Sequence, residues 1–135
     1  MIKPDAVASG KLGKVIDATL QAGFSIKGGR LTLITRAQAE EFYAVHRERP
    51  FYGELVDFMS SGQTFVMALE KDNAVQAWRD TIGATDPAEA ADGTIRKMYA
   101  ENKGRNAVHG SDSDENAEKE IAFFFSGAEI IASNL

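Results

Sequence analysis

The chain of 135 residues contains no cysteine, which excludes disulfide bonds and thiolate metal sites. A chain without cysteine fits a reducing compartment, and we therefore expect a cytoplasmic protein. The sequence also lacks an apolar run long enough to cross a membrane, and it lacks the basic and apolar regions of a secretory signal. Histidine is scarce as well. His46 and His109 are the two histidines of the chain, so imidazole chemistry has few places to occur.

Positive charge is in deficit, with 15 lysine and arginine residues against 20 acidic residues and a net charge of -5 at pH 7. This balance argues against a broad nucleic-acid-binding surface, so a DNA-interacting or purely structural role is disfavoured. An acidic protein that handles an anionic ligand must gather its cationic side chains locally. The length and the hydrophobic fraction of 44% predict a single domain over residues 1–135.

The spacing of apolar residues and of helix-breaking residues predicts alternating strands and helices. Thr35 and Gln38 form a capping-box pattern at the start of one helix, and Ser113 or Asp112 can cap the last one. Pro4 leaves only Met1–Lys3 for a first strand, which is short and is expected to be truncated. The further predicted strands cover residues 24–34, with a bulge or bend at 28–29, and 64–69. The predicted helices cover 10–22, 36–45, 51–62, 73–82, 94–99 and 113–124. The segment 127–135 is predicted as a short strand or a tail.

This order of elements predicts an α+β fold, an α/β sandwich with helices packed on one face of a small sheet. A ferredoxin-like βαββαβ arrangement with an antiparallel four-stranded sheet covered by helices fits the order well.

The region 83–112 has little regular pattern, and an irregular stretch of this length in a compact domain is usually functional or disordered. It leads into the segment 106–113, Asn-Ala-Val-His-Gly-Ser-Asp-Ser, which surrounds His109 with small and polar residues. An imidazole in such a loop is a candidate nucleophile or general base. The segment 10–14 looks like a phosphate loop at first sight, but it lacks the required glycine spacing and has no Ser or Thr after Lys14.

Several polar residues would suit a polyphosphate ligand if the fold brought them together. Arginine offers a planar fork to phosphate oxygens and lysine offers a point charge, so phosphoryl transfer with His109 as the nucleophile is the chemistry they indicate. The candidate set is Lys3, Tyr43, Arg79, Thr85, Arg96, Asn106 and His109.

The sequence closely resembles the nucleoside diphosphate kinases over nearly its whole length. The most specific motif is the segment 106–113. The supporting blocks, in chain order, are Lys3-Pro4-Asp5-Ala6-Val7, Arg49-Pro50-Phe51-Tyr52, Phe58-Met59-Ser60-Ser61-Gly62, Gly83-Ala84-Thr85-Asp86-Pro87-Ala88-Glu89, Gly93-Thr94-Ile95-Arg96 and Glu118-Lys119-Glu120-Ile121.

The resemblance implies an exchange of the terminal phosphate between nucleoside triphosphates and diphosphates by a ping-pong mechanism, which maintains nucleoside triphosphate pools. His109 matches the histidine that is phosphorylated, and Glu120 matches the carboxylate that orients its ring. Ser111 matches the hydroxyl beside the histidine. Tyr43 matches the tyrosine whose hydroxyl touches the imidazole or the transferring phosphate.

The remaining roles implied by the resemblance concern the nucleotide. Arg79, Thr85 and Arg96 match phosphate-binding residues, while Lys3 and Asn106 match residues that bind the ribose hydroxyls and the phosphate. The aromatic residue on which the base stacks is matched by Phe51, and stacking on one ring face tolerates every base. Mg²⁺ is implied as the cofactor, held mostly by the nucleotide phosphates, so no dedicated protein metal site is expected.

Two alternatives stay open at this point. The acidic residues Asp112, Asp114 and Glu115 suggest a metal site, although helix capping and the helix dipole explain them more simply. The chain could also be a nucleotide-binding or regulatory module that has lost turnover.

The family forms hexamers, tetramers or occasionally dimers that are all built from a similar dimer, so we expect a homo-oligomer. Relatives usually carry several more residues before the segment that matches Met1–Lys3. Three readings follow from this: the true start lies upstream, the first strand is this short, or another segment fills its place.

Overall fold

The computed structural model describes residues 1–132. Seven α-helices and two strands fall within this range, together with two short 3₁₀ helices at Ala44–His46 and Gly127–Glu129. In chain order they are α1 Pro4–Ala8, α2 Leu12–Gln21, β1 Ser25–Leu33, α3 Arg36–Phe42, α4 Tyr52–Met59, β2 Gln63–Glu70, α5 Ala74–Ile82, α6 Ile95–Tyr99 and α7 Asp114–Phe124.

The two strands form an antiparallel sheet in which Ser25 lies opposite Glu70 and Leu33 lies opposite Gln63. The register shifts between Ile26 and Gly28, which places a bulge immediately before the bulge or bend predicted at 28–29. The pairing continues beyond β2 through single bridges, because Ile2 pairs with Phe65 on one side and with Val108 on the other. The α+β fold class is therefore confirmed, while the described residues 1–132 hold a two-stranded sheet extended by two bridges.

The first segment differs from its prediction. Only Ile2 pairs with a neighbouring segment, and the chain turns at once into α1, a helix that the sequence pattern did not predict. Pro4 is the first residue of α1, where its fixed φ suits a helix and its missing N–H is not needed. The strand predicted over Met1–Lys3 is thus reduced to one bridging residue.

Capping side chains begin several helices at the predicted positions. Thr35 accepts a hydrogen bond from the backbone N–H of Gln38, whose side chain in turn accepts from the N–H of Thr35, as the capping-box pattern predicted. Ser113 accepts from the N–H of Asn116 at 3.1 Å and opens α7. Helix α3 ends earlier than predicted, at Phe42, and the 3₁₀ helix follows it. The strand or tail predicted over 127–135 begins with a 3₁₀ helix, and its last three residues lie outside the described residues.

Buried apolar residues form a core on the faces of the sheet. The largest cluster joins α1, α2, α5 and α6 around Trp78, which packs edge-on against Phe24 with ring centroids 5.5 Å apart. A second cluster lies between α3 and α4, and it includes the buried ring of Tyr43. The core therefore fixes two helices, α5 and α3, that flank the loop carrying His109. Among residues 1–132, no helix is both long and apolar enough to cross a membrane.

Candidate active site

The loop that carries His109 is fixed by contacts with distant parts of the chain. The backbone N–H of His109 donates to the carbonyl of Met1 at 2.8 Å, and the indole Nε1–H of Trp78 donates to the carbonyl of His109 at 3.2 Å. The next residue, Gly110, lies against the Trp78 ring so closely that a Cβ there would be 2.7 Å from Trp78 Cδ1. Glycine is therefore required at position 110 for the loop to approach α5.

The imidazole of His109 faces the carboxylate of Glu120 on α7, with Nε2 and Oε1 2.5 Å apart. Both side chains are about one quarter exposed, at 24% and 25%. A carboxylate accepts, so Nε2 carries the proton and donates it to this hydrogen bond. The lone pair of the neutral ring then lies on Nδ1, which leaves Nδ1 as the ring nitrogen able to act as a nucleophile.

The protonation state of His109 suits a nucleophile. Burial lowers the pKa of the imidazole below its ordinary value, and the hydrogen bond that it donates to Glu120 opposes this effect without reversing it. The ring is therefore neutral at neutral pH, and the nearby carboxylate is placed to stabilise the positive charge that develops when Nδ1 attacks an electrophile.

Tyr43 packs beside His109, with ring centroids 6.2 Å apart and the planes nearly perpendicular at 89°. Its hydroxyl is buried and has no hydrogen-bond partner among residues 1–132. Burial raises the pKa of this hydroxyl, so it stays protonated and able to donate. A buried donor without a partner is uncommon, and an anionic ligand at this position would satisfy it.

Lys3 and Arg96 are linked through Asn106 by hydrogen bonds. Lys3 Nζ donates to Asn106 Oδ1 at 2.8 Å, and Asn106 Nδ2 donates to the carbonyl of Thr85 at 3.2 Å. Arg96 donates to three backbone carbonyls, those of Gly83, Asn106 and Val108, at 3.0, 3.3 and 2.9 Å. The guanidinium thus fixes the irregular region 83–108 around the site.

A polar cleft of about 470 Å³ opens beside Gly110 and is lined by Arg79, Thr85 and Arg96. Within the described residues, neither of these arginines nor Lys3 forms an ion pair with a carboxylate. Burial and the neighbouring charge of Arg96 lower the pKa of Lys3 to about 8. Three cations without an ion-pair partner among the described residues favour a polyanionic ligand.

Two predicted site residues, Phe51 and Ser111, are not part of the hydrogen-bonded group around His109 in the described part of the chain. Phe51 is 47% exposed at the start of α4, and its ring lies 5.4 Å from that of His46. Such an exposed aromatic ring is available for stacking. The hydroxyl of Ser111 makes no hydrogen bond to any described residue, and Ser111 borders an apolar cavity beside His109 and Glu120.

Sequence reasoning missed two residues that hold the backbone of the His109 loop in place. Trp78 lies in the core, and its indole N–H also donates to the backbone carbonyl of His109. Asp5 was only part of a matching block, yet its buried carboxylate contacts the loop at Ala107. No local pattern could have shown either contact, because each joins residues that are far apart in the sequence.

The acidic residues at the start of α7 support the helix. The side-chain amide of Asn116 donates to Asp112 at 2.6 Å, while Asp114 and Glu115 lie in the first helical turn, where negative charge is favourable. Among residues 1–132, no group of three His, Cys, Asp or Glu side chains could hold a metal ion.

Comparison with known proteins agrees with this geometry. The family model for nucleoside diphosphate kinase matches residues 1–130. The chain belongs to the nucleoside diphosphate kinase family. Two nucleoside diphosphate kinases from Chlorobium luteolum and Flavobacterium psychrophilum are each 58% identical to it, over 134 and 129 residues. The alignments cover 99% and 96% of this chain and 96% and 93% of the relatives.

Solved nucleoside diphosphate kinases share the fold. The enzyme from Aquifex aeolicus superimposes with a TM-score of 0.94 at 49% identity, covering 96% of this chain and 94% of its own. The enzyme from Halobacterium salinarum, solved in complex with CDP, superimposes with a TM-score of 0.93 at 38% identity, covering 99% of this chain and 90% of its own. As a nucleoside diphosphate kinase, the chain is a nucleotide-binding phosphotransferase that moves the terminal phosphate between nucleoside triphosphates and diphosphates.

Proposed function

We propose that this nucleoside diphosphate kinase works through a phosphohistidine at Nδ1 of His109. The observation that carries the proposal is the hydrogen bond from His109 Nε2 to Glu120 Oε1 at 2.5 Å. It fixes the tautomer that leaves the Nδ1 lone pair free, and it leaves Nε2 unavailable for attack.

In the first half-reaction, Nδ1 attacks the terminal phosphorus of a nucleoside triphosphate. The Nδ1–P bond forms as the bond from that phosphorus to the bridging oxygen breaks, and the nucleoside diphosphate leaves with the electron pair. Glu120 stabilises the charge on the ring. In the second half-reaction, a terminal phosphate oxygen of another nucleoside diphosphate attacks the same phosphorus and frees Nδ1. Positioning and charge neutralisation supply most of the rate enhancement in such transfers.

The nucleotide is proposed to lie with its phosphates in the polar cleft. Arg79, Thr85 and Arg96 line this cleft and would bind phosphate oxygens. Lys3 and Asn106, which are hydrogen-bonded to each other, would reach the ribose hydroxyls and the phosphate.

Three further side chains complete the proposed site. The unpartnered Tyr43 hydroxyl would donate to the transferring phosphate. Ser111 would act beside the histidine. Phe51 would stack on the base, and low base specificity follows because every base offers a π face.

Mg²⁺ is the proposed cofactor, and it would be held mostly by the nucleotide. Among residues 1–132, Asp80 is the one carboxylate that lines the polar cleft, which is too few ligands for a protein-held ion. The donor set therefore fits an ion carried by phosphate oxygens, where it would neutralise charge during transfer.

The proposal also covers the domain, the sheet topology, the cellular location and the oligomeric state. We infer a single domain over 1–135 with a ferredoxin-like, four-stranded antiparallel sheet. The bridges from Ile2 to Phe65 and Val108 support this sheet by setting the order of its neighbours. The cytoplasmic location, the role in maintaining nucleoside triphosphate pools and a homo-oligomer built from dimers, as a hexamer or a tetramer, stay predictions.

The test is direct capture of the phosphoenzyme. The protein is incubated with terminally labelled ATP and Mg²⁺, freed of nucleotide and then mixed with GDP. Label should remain on the chain, survive alkali, be lost in acid and pass to GDP. His109→Ala should take up no label, whereas His46→Ala, which removes the other histidine, should be labelled like the parent.

Two results would count against the proposal. Folded protein that binds ADP but accepts no label would indicate a nucleotide-binding module without turnover. Label that persists in His109→Ala would place the phosphorylation elsewhere.

A further inference from the structure

The carboxylate of Asp5 is buried and contacts the loop that carries His109. Asp5 is 4% exposed, and its Oδ2 accepts a hydrogen bond from the backbone N–H of Ala107 at 3.0 Å. These residues are 102 positions apart in the sequence, so the contact joins the first segment of the chain to the candidate active-site loop.

Ala107 adopts a backbone conformation that alanine disfavours. Its φ is +71°, in the left-handed region where a Cβ crowds the following carbonyl. Both of its backbone polar groups are held from the first segment, because the N–H donates to Asp5 and the carbonyl accepts from the N–H of Lys3 at 2.8 Å. The conformation persists because the surroundings over-determine it.

The conformation of Ala107 affects the placement of both Asn106 and His109, because Ala107 lies between them in the loop. The preceding residue, Asn106, holds the side chain of Lys3, and the following residue, Val108, bridges to Ile2 immediately before His109. A change of φ at Ala107 would rotate Asn106 away from Lys3 or pull His109 out of line with Glu120.

We propose that Asp5 is a positioning residue, whose hydrogen bond to the Ala107 N–H holds Ala107 in the left-handed conformation and so sets the place of His109. The kinetic part of this inference rests on the function proposed above. Among the described residues, the Asp5 carboxylate makes no hydrogen bond to His109, so it acts on His109 through the loop.

A purely local role for Asp5 fits the structure less well. An acidic residue in the first turn of a helix is favourable, but an exposed carboxylate would serve α1 equally. Asp5 instead is buried, and its second oxygen, Oδ1, has no hydrogen-bond partner among residues 1–132. Burying a carboxylate with one oxygen unpaired is unfavourable, so the bond to Ala107 is the contact that accounts for its burial.

The test compares removal of the carboxylate with relief of the strain. Asp5→Ala should lower the single-turnover rate of phosphoenzyme formation by about tenfold or more, because small misplacements of a reacting group are costly. Asp5→Asn keeps an oxygen that can accept from the Ala107 N–H, and it should retain most of the rate. In the Asp5→Ala background, Ala107→Gly should restore much of the rate, because glycine adopts a positive φ without steric cost.

A matched control uses the other non-glycine residue with positive φ, Asn73, at +53°. Asn73→Gly in the Asp5→Ala background should restore nothing, since Asn73 precedes α5 and, within residues 1–132, forms no hydrogen bond with the loop. Asp72→Ala, which removes an exposed carboxylate, should leave the rate unchanged.

A second measurement is independent of catalysis. Hydrogen exchange of the Ala107 amide should be slow in the parent and in Asp5→Asn, and fast in Asp5→Ala under conditions where each protein is folded. If the parent forms no phosphoenzyme, the proposed function fails, and this exchange measurement still decides whether Asp5 holds Ala107.

Three outcomes would overturn the inference. The first is an Asp5→Ala variant that forms phosphoenzyme at the parent rate. The second is an Asp5→Asn variant that loses as much rate as Asp5→Ala with no recovery from Ala107→Gly, which would show that Asp5 acts by charge. The third is an Ala107 amide that exchanges equally in all variants.

Discussion

Lys3 is proposed to contact the nucleotide, and its protonation state near neutral pH gives a way to test that proposal. Burial and the nearby guanidinium of Arg96 lower the pKa of Lys3 to about 8 in the free protein. At pH 7 the ammonium is mostly protonated and donates to Asn106. A bound phosphate would add negative charge beside it and would raise its pKa, so binding and protonation are coupled.

This coupling predicts a pH-dependent affinity. As pH rises through about 8, Lys3 of the nucleotide-free protein loses its proton. Binding of ADP must then be accompanied by uptake of that proton, or it proceeds without the positive charge of Lys3. The dissociation constant for ADP should therefore rise several-fold between about pH 7 and pH 9, which isothermal titration calorimetry can measure together with proton uptake. His109 does not contribute in this window, because its pKa is lowered and the ring is already neutral.

The control for this prediction removes the titrating group. Lys3→Met should bind ADP more weakly at pH 7 and should show no further weakening up to pH 9. Lys97→Met, which removes an exposed lysine of α6, should keep the parent's pH dependence. An affinity that falls equally in Lys3→Met would assign the effect to another group.

At the residue scale, the sequence could indicate the type of chemistry but not the contacts that enable it. The segment around His109 is specific enough to direct attention to that residue, and α7 could be predicted from its Ser113 cap. The free nitrogen of His109 could not be predicted, because it depends on which ring atom meets Glu120.

At the element scale, helices with clear caps were predictable and short elements were not. The caps at Thr35, Thr94 and Ser113 all act where the sequence places a helix start. Helix α1 was missed because five residues show no apolar period, and only tertiary contacts stabilise a helix so short. The first strand was short in the prediction and is a single bridge in the structure, because Pro4 starts α1.

Close packing of the loop at Gly110 on helix α5 gives a prediction at this scale. A Cβ at position 110 would meet Trp78 Cδ1 at 2.7 Å and Nε1 at 3.1 Å, and Trp78 is buried in the main core. Gly110→Ala should therefore displace the loop, lower the unfolding free energy by about 1–3 kcal/mol and slow phosphorylation of His109. Urea unfolding followed by the fluorescence of Trp78, the single tryptophan, measures the first effect, and single-turnover labelling measures the second.

Gly13→Ala in α2 is the matched comparison, because a Cβ there meets nothing within 4 Å. It should leave phosphorylation unchanged and should stabilise the protein slightly, by about 0.5–1 kcal/mol, as alanine does in a helix. Equal effects of the two substitutions would show that the contact with Trp78 does not position the loop.

At the scale of the whole molecule, the negative net charge and the cationic cleft are compatible because the cations are gathered locally. The chain carries a net charge of -5, yet Lys3, Arg79 and Arg96 lack ion-pair partners within residues 1–132. Composition could exclude a broad basic surface, but it could not predict that residues from α5, α6 and the first segment converge. That convergence depends on the buried guanidinium of Arg96, which holds three distant carbonyls at once.

The same arrangement predicts how the molecule depends on metal. The polar cleft offers cations and, among the described residues, the single carboxylate of Asp80, so Mg²⁺ should enter with the nucleotide and not beforehand. Chelation with EDTA should abolish phosphate transfer, and added Mg²⁺ should restore it at concentrations that track the nucleotide concentration. Calorimetric titration of Mg²⁺ into nucleotide-free protein should show no saturable binding in the micromolar range. Asp80→Asn should leave the Mg²⁺ dependence of the rate unchanged. A shift in the Mg²⁺ concentration that gives half of the maximal rate in that variant would show that the protein itself holds the ion.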